Sequence, residues 1–191
     1  MNKNFYSLGL MSGTSGDGID ASLAISDGEK EFDVILNEYF QYPDDIQEEF
    51  HKLKEEILNL QDIDKYSKSL NDLERKITLC NSSAIEFIKS KLLKKNINID
   101  LIGFHGQTIL HIPEKKFSLQ LGDAKLLSQL TNTKVVYRFR ENDLKNGGQG
   151  APLAPIFHQL LINNKNLEIS IVLSSQSRQN FFKPWFKVAN Y

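Results

Sequence analysis

The 191-residue sequence is short of several things, and each shortage excludes a class of protein. It has no apolar run near the roughly 20 residues a membrane helix needs, and the first apolar stretch, Phe5 to Met11, meets glycines at once. The start MNKNFYSLGLMSGTSGDG therefore reads as neither a secretory signal nor a membrane anchor, so the cytoplasm is the expected compartment and no membrane partner is expected. Excess charge is missing too: 23 Lys and Arg stand against 24 Asp and Glu, which implies no polyanion-binding surface and no nucleic-acid partner. Cysteine occurs once, so no internal disulfide can form. Cys80 falls among Leu73, Ile77, Ala84, Phe87 and Ile88 at helical spacing, which predicts packing rather than a reactive thiol.

What is present is an ordinary globular composition, 40% hydrophobic and 25% charged, in a chain long enough for one comfortable domain. Phe5–Met11 and Ile19–Ile25 read as strands joined by the turn Ser12-Gly13-Thr14-Ser15-Gly16-Asp17-Gly18, and Phe32–Tyr42 is a third strand closed by Pro43. Ile46, Phe50, Leu53 and Ile57 recur every three or four positions, which predicts an amphipathic helix from Asp44 to about Leu60. A longer, interruptible helix follows from about Ile63 to Lys94. LIGF, ending at Phe104, is a short buried strand running into His105-Gly106-Gln107-Thr108, and Asp123 is placed to cap the helix AKLLSQLT before the strand KVVYRF. The expected order is three strands, helix, strand, helix, strand, an α/β arrangement.

Gly13, Gly16 and Gly18 in one hairpin turn leave backbone N–H groups unobstructed, and Thr14 and Ser15 add hydroxyl donors, the equipment a phosphate group requires. Asp17 and Asp20 are candidates to hold magnesium through water, since that ion keeps much of its hydration. A plainer reading stays open, because strand hairpins commonly turn on glycine and aspartate.

Three separated stretches, GLMSGTSGDGIDASL, GFHGQTILHIP and FRENDLKNGGQGAPLAPIFH, together resemble the anhydro-N-acetylmuramic acid kinase family in order and spacing. LQLGDAKLLSQLTNTKVV is similar to the segment joining the second and third, and the likeness runs from about Tyr6 to roughly Glu168. The resemblance implies the actin-like ATPase (ribonuclease H-like) fold, here one truncated lobe with a mixed sheet of about five strands and flanking helices. It also implies ATP and Mg2+ as cofactors and 1,6-anhydro-N-acetylmuramic acid as substrate. In that reaction water opens the internal ether at C1 while ATP phosphorylates O6, in the recycling of peptidoglycan. By position in the motif, Asp143 is the base that takes the proton of the attacking water, with a helix cap or turn carboxylate as the structural alternative. His105 and Gln107 follow the buried strand and are candidates to contact the sugar, and Arg140 to pair with its lactyl carboxylate. The alternatives are a satisfied core histidine and a packing arginine. His111 and His158 read as structural and His51 as helix surface. One departure stands out: the family usually has an acidic residue just before the Phe-Arg pair, where this chain has Arg138.

All 11 glycines lie at or before Gly150, so no second phosphate loop can be drawn from the residues beyond it. After Glu168 there is no acidic residue, while Phe181, Phe182, Trp185, Phe186 and Tyr191 crowd the end. The expectation is a kinase lobe over 1–168 and an aberrant or poorly ordered tail over 169–191, from a disrupted gene, with little activity from this chain alone. Competing readings are a half-enzyme completed by a separately encoded second lobe, a tail that caps the lobe or contacts a partner, and a non-catalytic sugar- or protein-binding remnant.

Overall fold

A computed structural model describes residues 4–155 together with 157 and 158. The chain divides into two units, Met1–Ala151 and Pro152–Tyr191. In the second, the described residues include a helical turn in which His158 N–H donates to Ala154 O at 3.0 Å. The tail at 169–191 and the boundary at 168 lie outside the described residues.

In the first unit, strands β1 (Phe5–Met11), β2 (Gly18–Ser26) and β3 (Phe32–Gln41) form an antiparallel meander. Their alternation sends Leu8, Leu10, Ile19, Ala21 and Leu23 to one face, where all five are buried. Helix α1 (Asp44–Glu56) begins with Asp44 and Asp45, whose charges suit a helix N-terminus, and packs Ile46, Phe50 and Leu53 inward. The long helical segment is divided at Tyr66 into α2 (Leu60–Lys65) and α3 (Ser67–Leu93). A capping box between Asn59 and Asp62 starts α2. Leu70, Leu73, Ile77, Ile85, Ile88 and Leu92 give α3 its buried stripe, each contributing about 1.5–3 kcal/mol by leaving water. Cys80 is only half-buried on that helix and Phe87 is 47% exposed, so the packing expected around the thiol is looser than its spacing implied.

Strand β4 (Leu101–Phe104) returns parallel to β1, and β7 (Lys134–Tyr137) lies parallel to β4. The five-stranded order is β3-β2-β1-β4-β7. Between them come two strands absent from the expected order, β5 (Gln107–Ile112) and β6 (Phe117–Leu121), forming a separate antiparallel hairpin. Helix α4 (Ala124–Thr131) starts at Asp123, whose Oδ1 accepts from the N–H groups of Lys125 and Leu126, as the sequence predicts. A short final helix, α5 (Phe139–Lys145), also goes beyond the expected order; it carries both Arg140 and Asp143. The parallel course of β1, β4 and β7 delivers three loops to one edge of the sheet, at their carboxyl ends, where backbone groups are released from the ladder.

Candidate functional site

The turn between β1 and β2 is fixed from several sides. Gly16 has φ +71°, and a Cβ there would sit 2.2 Å from the Phe50 ring, so both conformation and packing demand glycine. A Cβ on Gly18 would strike Phe40 O and Tyr39 Oη. These two glycines therefore have internal reasons to be there. Gly13 is different, because a Cβ on it would meet only Ser15, at 3.3 Å, and its backbone stays approachable. Ser12 at the foot of the turn is buried and shares a 2.9 Å hydrogen bond with Tyr42, which lies near Asn81. Burial pushes the Tyr42 pKa up to about 12. Tyr42 N–H donates to Asp17 O at 2.9 Å, and Lys54 Nζ donates to Thr14 O. Sequence reasoning misses both Tyr42 and Lys54, since nothing short-range pairs Ser12 with a residue thirty positions away.

Asp17 and Asp20 are exposed. The Ser15 hydroxyl, 2.6 Å from Asp17 Oδ1, holds that carboxyl below its ordinary range. Both carboxylates lie near Tyr39, whose phenol is raised first by desolvation and then by the two charges. Among the described residues no group of three or more His, Cys, Asp or Glu side chains converges as a metal cage.

Gln107 is fully buried beneath the turn, where its Nε2 donates to Gly13 O at 2.7 Å. Its Oε1 is the buried side-chain atom with no partner among the described residues. The structure thus makes Gln107 a brace under the turn rather than a group offered outward. His105 is engaged at both nitrogens: Nδ1–H donates to Gly106 O at 2.7 Å, and Nε2 accepts from Arg140 Nε at 2.7 Å. Burial, then the neighbouring Arg140 charge, pushes the His105 pKa down to about 4, so the ring is neutral at pH 7. The satisfied-histidine alternative describes this geometry better than a free sugar donor does.

Arg140 also donates from a terminal nitrogen to Gly150 O at 2.7 Å, and it forms no ion pair among the described residues. Burial lowers its pKa from the ordinary value, and a guanidinium remains charged regardless. Its other N–H groups have no partner among the described residues. Asp143 lies near the end of α5, not at its N-cap, and its Oδ2 accepts from Gly150 N–H at 2.7 Å. Gly148 packs directly on this carboxylate, since a Cβ there would be 2.0 Å from Oδ2. Oδ1 accepts nothing from the described residues. His111, read as structural, bonds Ser118 across the β5–β6 pair and lies near Arg140, which helps lower its pKa after desolvation. Arg138 occupies a left-handed conformation, φ 62°, at the start of α5 and reaches Glu141 at 3.6 Å. A groove of about 310 Å³ opens beside His105, between Gln120, Asp123, Arg138 and Glu141.

A mixed β3-β2-β1-β4-β7 sheet with flanking helices and a glycine-rich first hairpin defines the sugar-kinase class of the actin-like ATPase fold. Residues 5–176 match the family model for anhydro-N-acetylmuramic acid kinase, eight positions past the limit read from the motifs. An anhydro-N-acetylmuramic acid kinase of Pelagibacter ubique is 49% identical over 169 residues, covering 88% of this chain and 44% of that protein. Proteins of the same description from Agrobacterium fabrum and Gluconobacter oxydans are 38% and 36% identical over 157 and 167 residues, covering 82% and 87% of this chain and 42% and 45% of their own. The chain belongs to the anhydro-N-acetylmuramic acid kinase family, and it spans less than half the length of these relatives.

Proposed function

We propose that this chain supplies one wall of a cleft in which ATP phosphorylates O6 of 1,6-anhydro-N-acetylmuramic acid as water opens the ring at C1. The observation that carries the reading is a convergence. Gln107 joins the residues after β4 to the turn after β1, and the His105–Arg140 bond joins them to α5 beyond β7. Three sequence-distant segments thus meet at one sheet edge.

In this reading the backbone of Gly13 to Gly18, with Thr14 and Ser15, receives the phosphates, and Lys54 adds positive charge beside Thr14. Asp17 and Asp20, both exposed beside the turn, are the residues that would hold a magnesium ion. When bound, the nucleotide supplies the phosphoryl group and the ion offsets its charge. Arg140, held in plane by His105 and Gly150 O, presents its remaining N–H groups to the lactyl carboxylate. Asp143 keeps Oδ2 on Gly150 N–H and takes the proton of the attacking water at Oδ1. The oxygen of that water becomes the C1 hydroxyl, the C1–O6 bond breaks, and O6 accepts the phosphoryl group. Gln107 and His105 act by positioning the turn and Arg140.

A facing wall is still needed, because holding reactants in attack geometry is worth ~7–11 kcal/mol of barrier. These 191 residues alone are expected to turn over little. The test is a chimera in which residues 1–176 are followed by the part of the Pelagibacter relative beyond the matched region. Asp143→Asn in that chimera should lower turnover by roughly 10²–10⁴-fold while sugar binding, followed by calorimetry, persists. Unchanged turnover would remove Asp143 from the reaction. The cytoplasm is the compartment in which ATP is at hand for this chemistry.

A further inference from the structure

Gly150 holds both charged groups of α5 that the proposed chemistry uses. Its N–H donates to Asp143 Oδ2 and its carbonyl accepts from Arg140, each at 2.7 Å. Those two residues, with the Leu144 side chain that packs on Gly150, all belong to α5, so they tie the loop at 146–150 only to its own short helix. Three of the five loop residues are glycine, and Gly147 and Gly150 have positive φ, so the loop has much conformational freedom to lose. A contact from another element is what fixes it.

His111, on β5, is the side chain placed to do so. A Cβ on Gly150 would stand 3.0 Å from His111 Cε1 and 3.1 Å from Leu144 Cγ, so the ring and the leucine leave no room for a side chain there. The ring is itself held. Nδ1 lies 3.0 Å from Ser118 Oγ, and that oxygen already accepts from Gln120 Nε2 at 2.6 Å. Desolvation, then the Arg140 charge, lowers the His111 pKa, so the ring is neutral at pH 7 and has a donor nitrogen and an acceptor nitrogen. With the Ser118 hydroxyl giving its hydrogen to Nδ1, the N–H falls on Nε2. The Gln149 carbonyl lies near the ring and works against the fall in pKa, as an acceptor does.

Gln149 C=O and Gly150 N–H are the two ends of one peptide unit. A peptide is planar, so holding its carbonyl end sets the direction of its N–H. A carbonyl that accepts a hydrogen bond also strengthens the N–H opposite it. Contacts therefore run from Gln120 through Ser118, His111 and the 149–150 peptide to Asp143.

We propose that His111 is a positioning residue for Asp143: it fixes the 149–150 peptide, whose N–H holds Oδ2, and so aims Oδ1 at the attacking water. The proposal rests on the reading of Asp143 as the base. The link from His111 to Gly150 needs no substrate, so it can be tested apart from the chemistry.

His111→Phe keeps a ring against Gly150 and removes both nitrogens, whereas His111→Gln keeps an N–H near the place of Nε2. In the chimera described above, His111→Phe should lower kcat roughly 10–100-fold with both KM values unchanged, and His111→Gln should recover most of the loss. In the Asp143→Asn background His111→Phe should cost nothing further, because the residue it positions no longer acts. In the 191-residue chain, His111→Phe should speed amide exchange at Gly150 about tenfold while the β5–β6 strands keep their protection. Ser118→Ala, which frees the ring to turn, should repeat the pattern at smaller size and stands in if His111→Phe does not fold. An unchanged kcat overturns the proposal, as does an equal fold-loss with and without Asp143, which would mark a purely structural histidine. Unchanged exchange at Gly150 overturns it too. Should the parent chimera phosphorylate no sugar, the proposed activity falls, and faster exchange at Gly150 would still support the link.

Discussion

The two sides of the candidate site are built in different ways. The turn at 12–18 rests on the core: Gly16 lies on Phe50, Ser12 is tied to Tyr42, and Gln107 braces Gly13 from below. Helix α5 has seven residues, buries only Leu144, starts at an uncapped left-handed Arg138, and holds its functional groups through polar contacts with His105 and Gly150. The comparison teaches that the turn is preformed by packing, whereas the α5 side depends on hydrogen bonds that protonation or substitution can undo.

The sharpest way to break the packed side is Gly16→Ala. The left-handed φ costs about 1–2 kcal/mol and the collision with Phe50 adds about 1–3 kcal/mol, so urea unfolding should show a loss of about 2–5 kcal/mol. A loss under about 1 kcal/mol would mean that the turn is not seated on Phe50.

Acid addresses the polar side. His105 has its pKa depressed from 6.5 to about 4 in the folded chain, so between those values the unfolded chain binds more protons. Stability therefore falls as pH drops through 6.5, and this contribution levels off below about 4. The total is about 3 kcal/mol, because each tenfold loss of proton affinity on folding is worth about 1.4 kcal/mol. Urea midpoints taken from pH 7 to 4 should fall less in His105→Gln than in the parent, and identical slopes would contradict a buried, neutral His105.

Tyr42→Phe keeps the packing and orphans the Ser12 hydroxyl, which should cost about 1–2 kcal/mol and speed hydrogen exchange at residues 13–17. The smallest effect is a gain. Arg138→Asn replaces a residue strained at φ 62° with one that tolerates that conformation and can cap α5, and it should add about 1 kcal/mol.

The same contrast decides what is legible in the sequence. The turn at 12–18, the meander and the Asp123 cap are local features, written in neighbouring residues, and they stand where their spacing puts them. The β5–β6 hairpin is hidden because a register shift between Thr108 and Leu110 breaks the period-two alternation. Helix α5 is hidden because seven residues with one buried side chain carry no periodic signal. Gln107 and His105 can be picked out by position, but their tasks cannot, since Gln107 meets Gly13 across 94 residues and His105 meets Arg140 across 35.

We propose that this chain turns over little sugar unless a second wall faces it. Incubating the 191-residue chain and the chimera in parallel with 1,6-anhydro-N-acetylmuramic acid, ATP and magnesium, and following sugar phosphate, tests that directly. Product is expected from the chimera and essentially none from the chain alone; equal rates from both would contradict the claim.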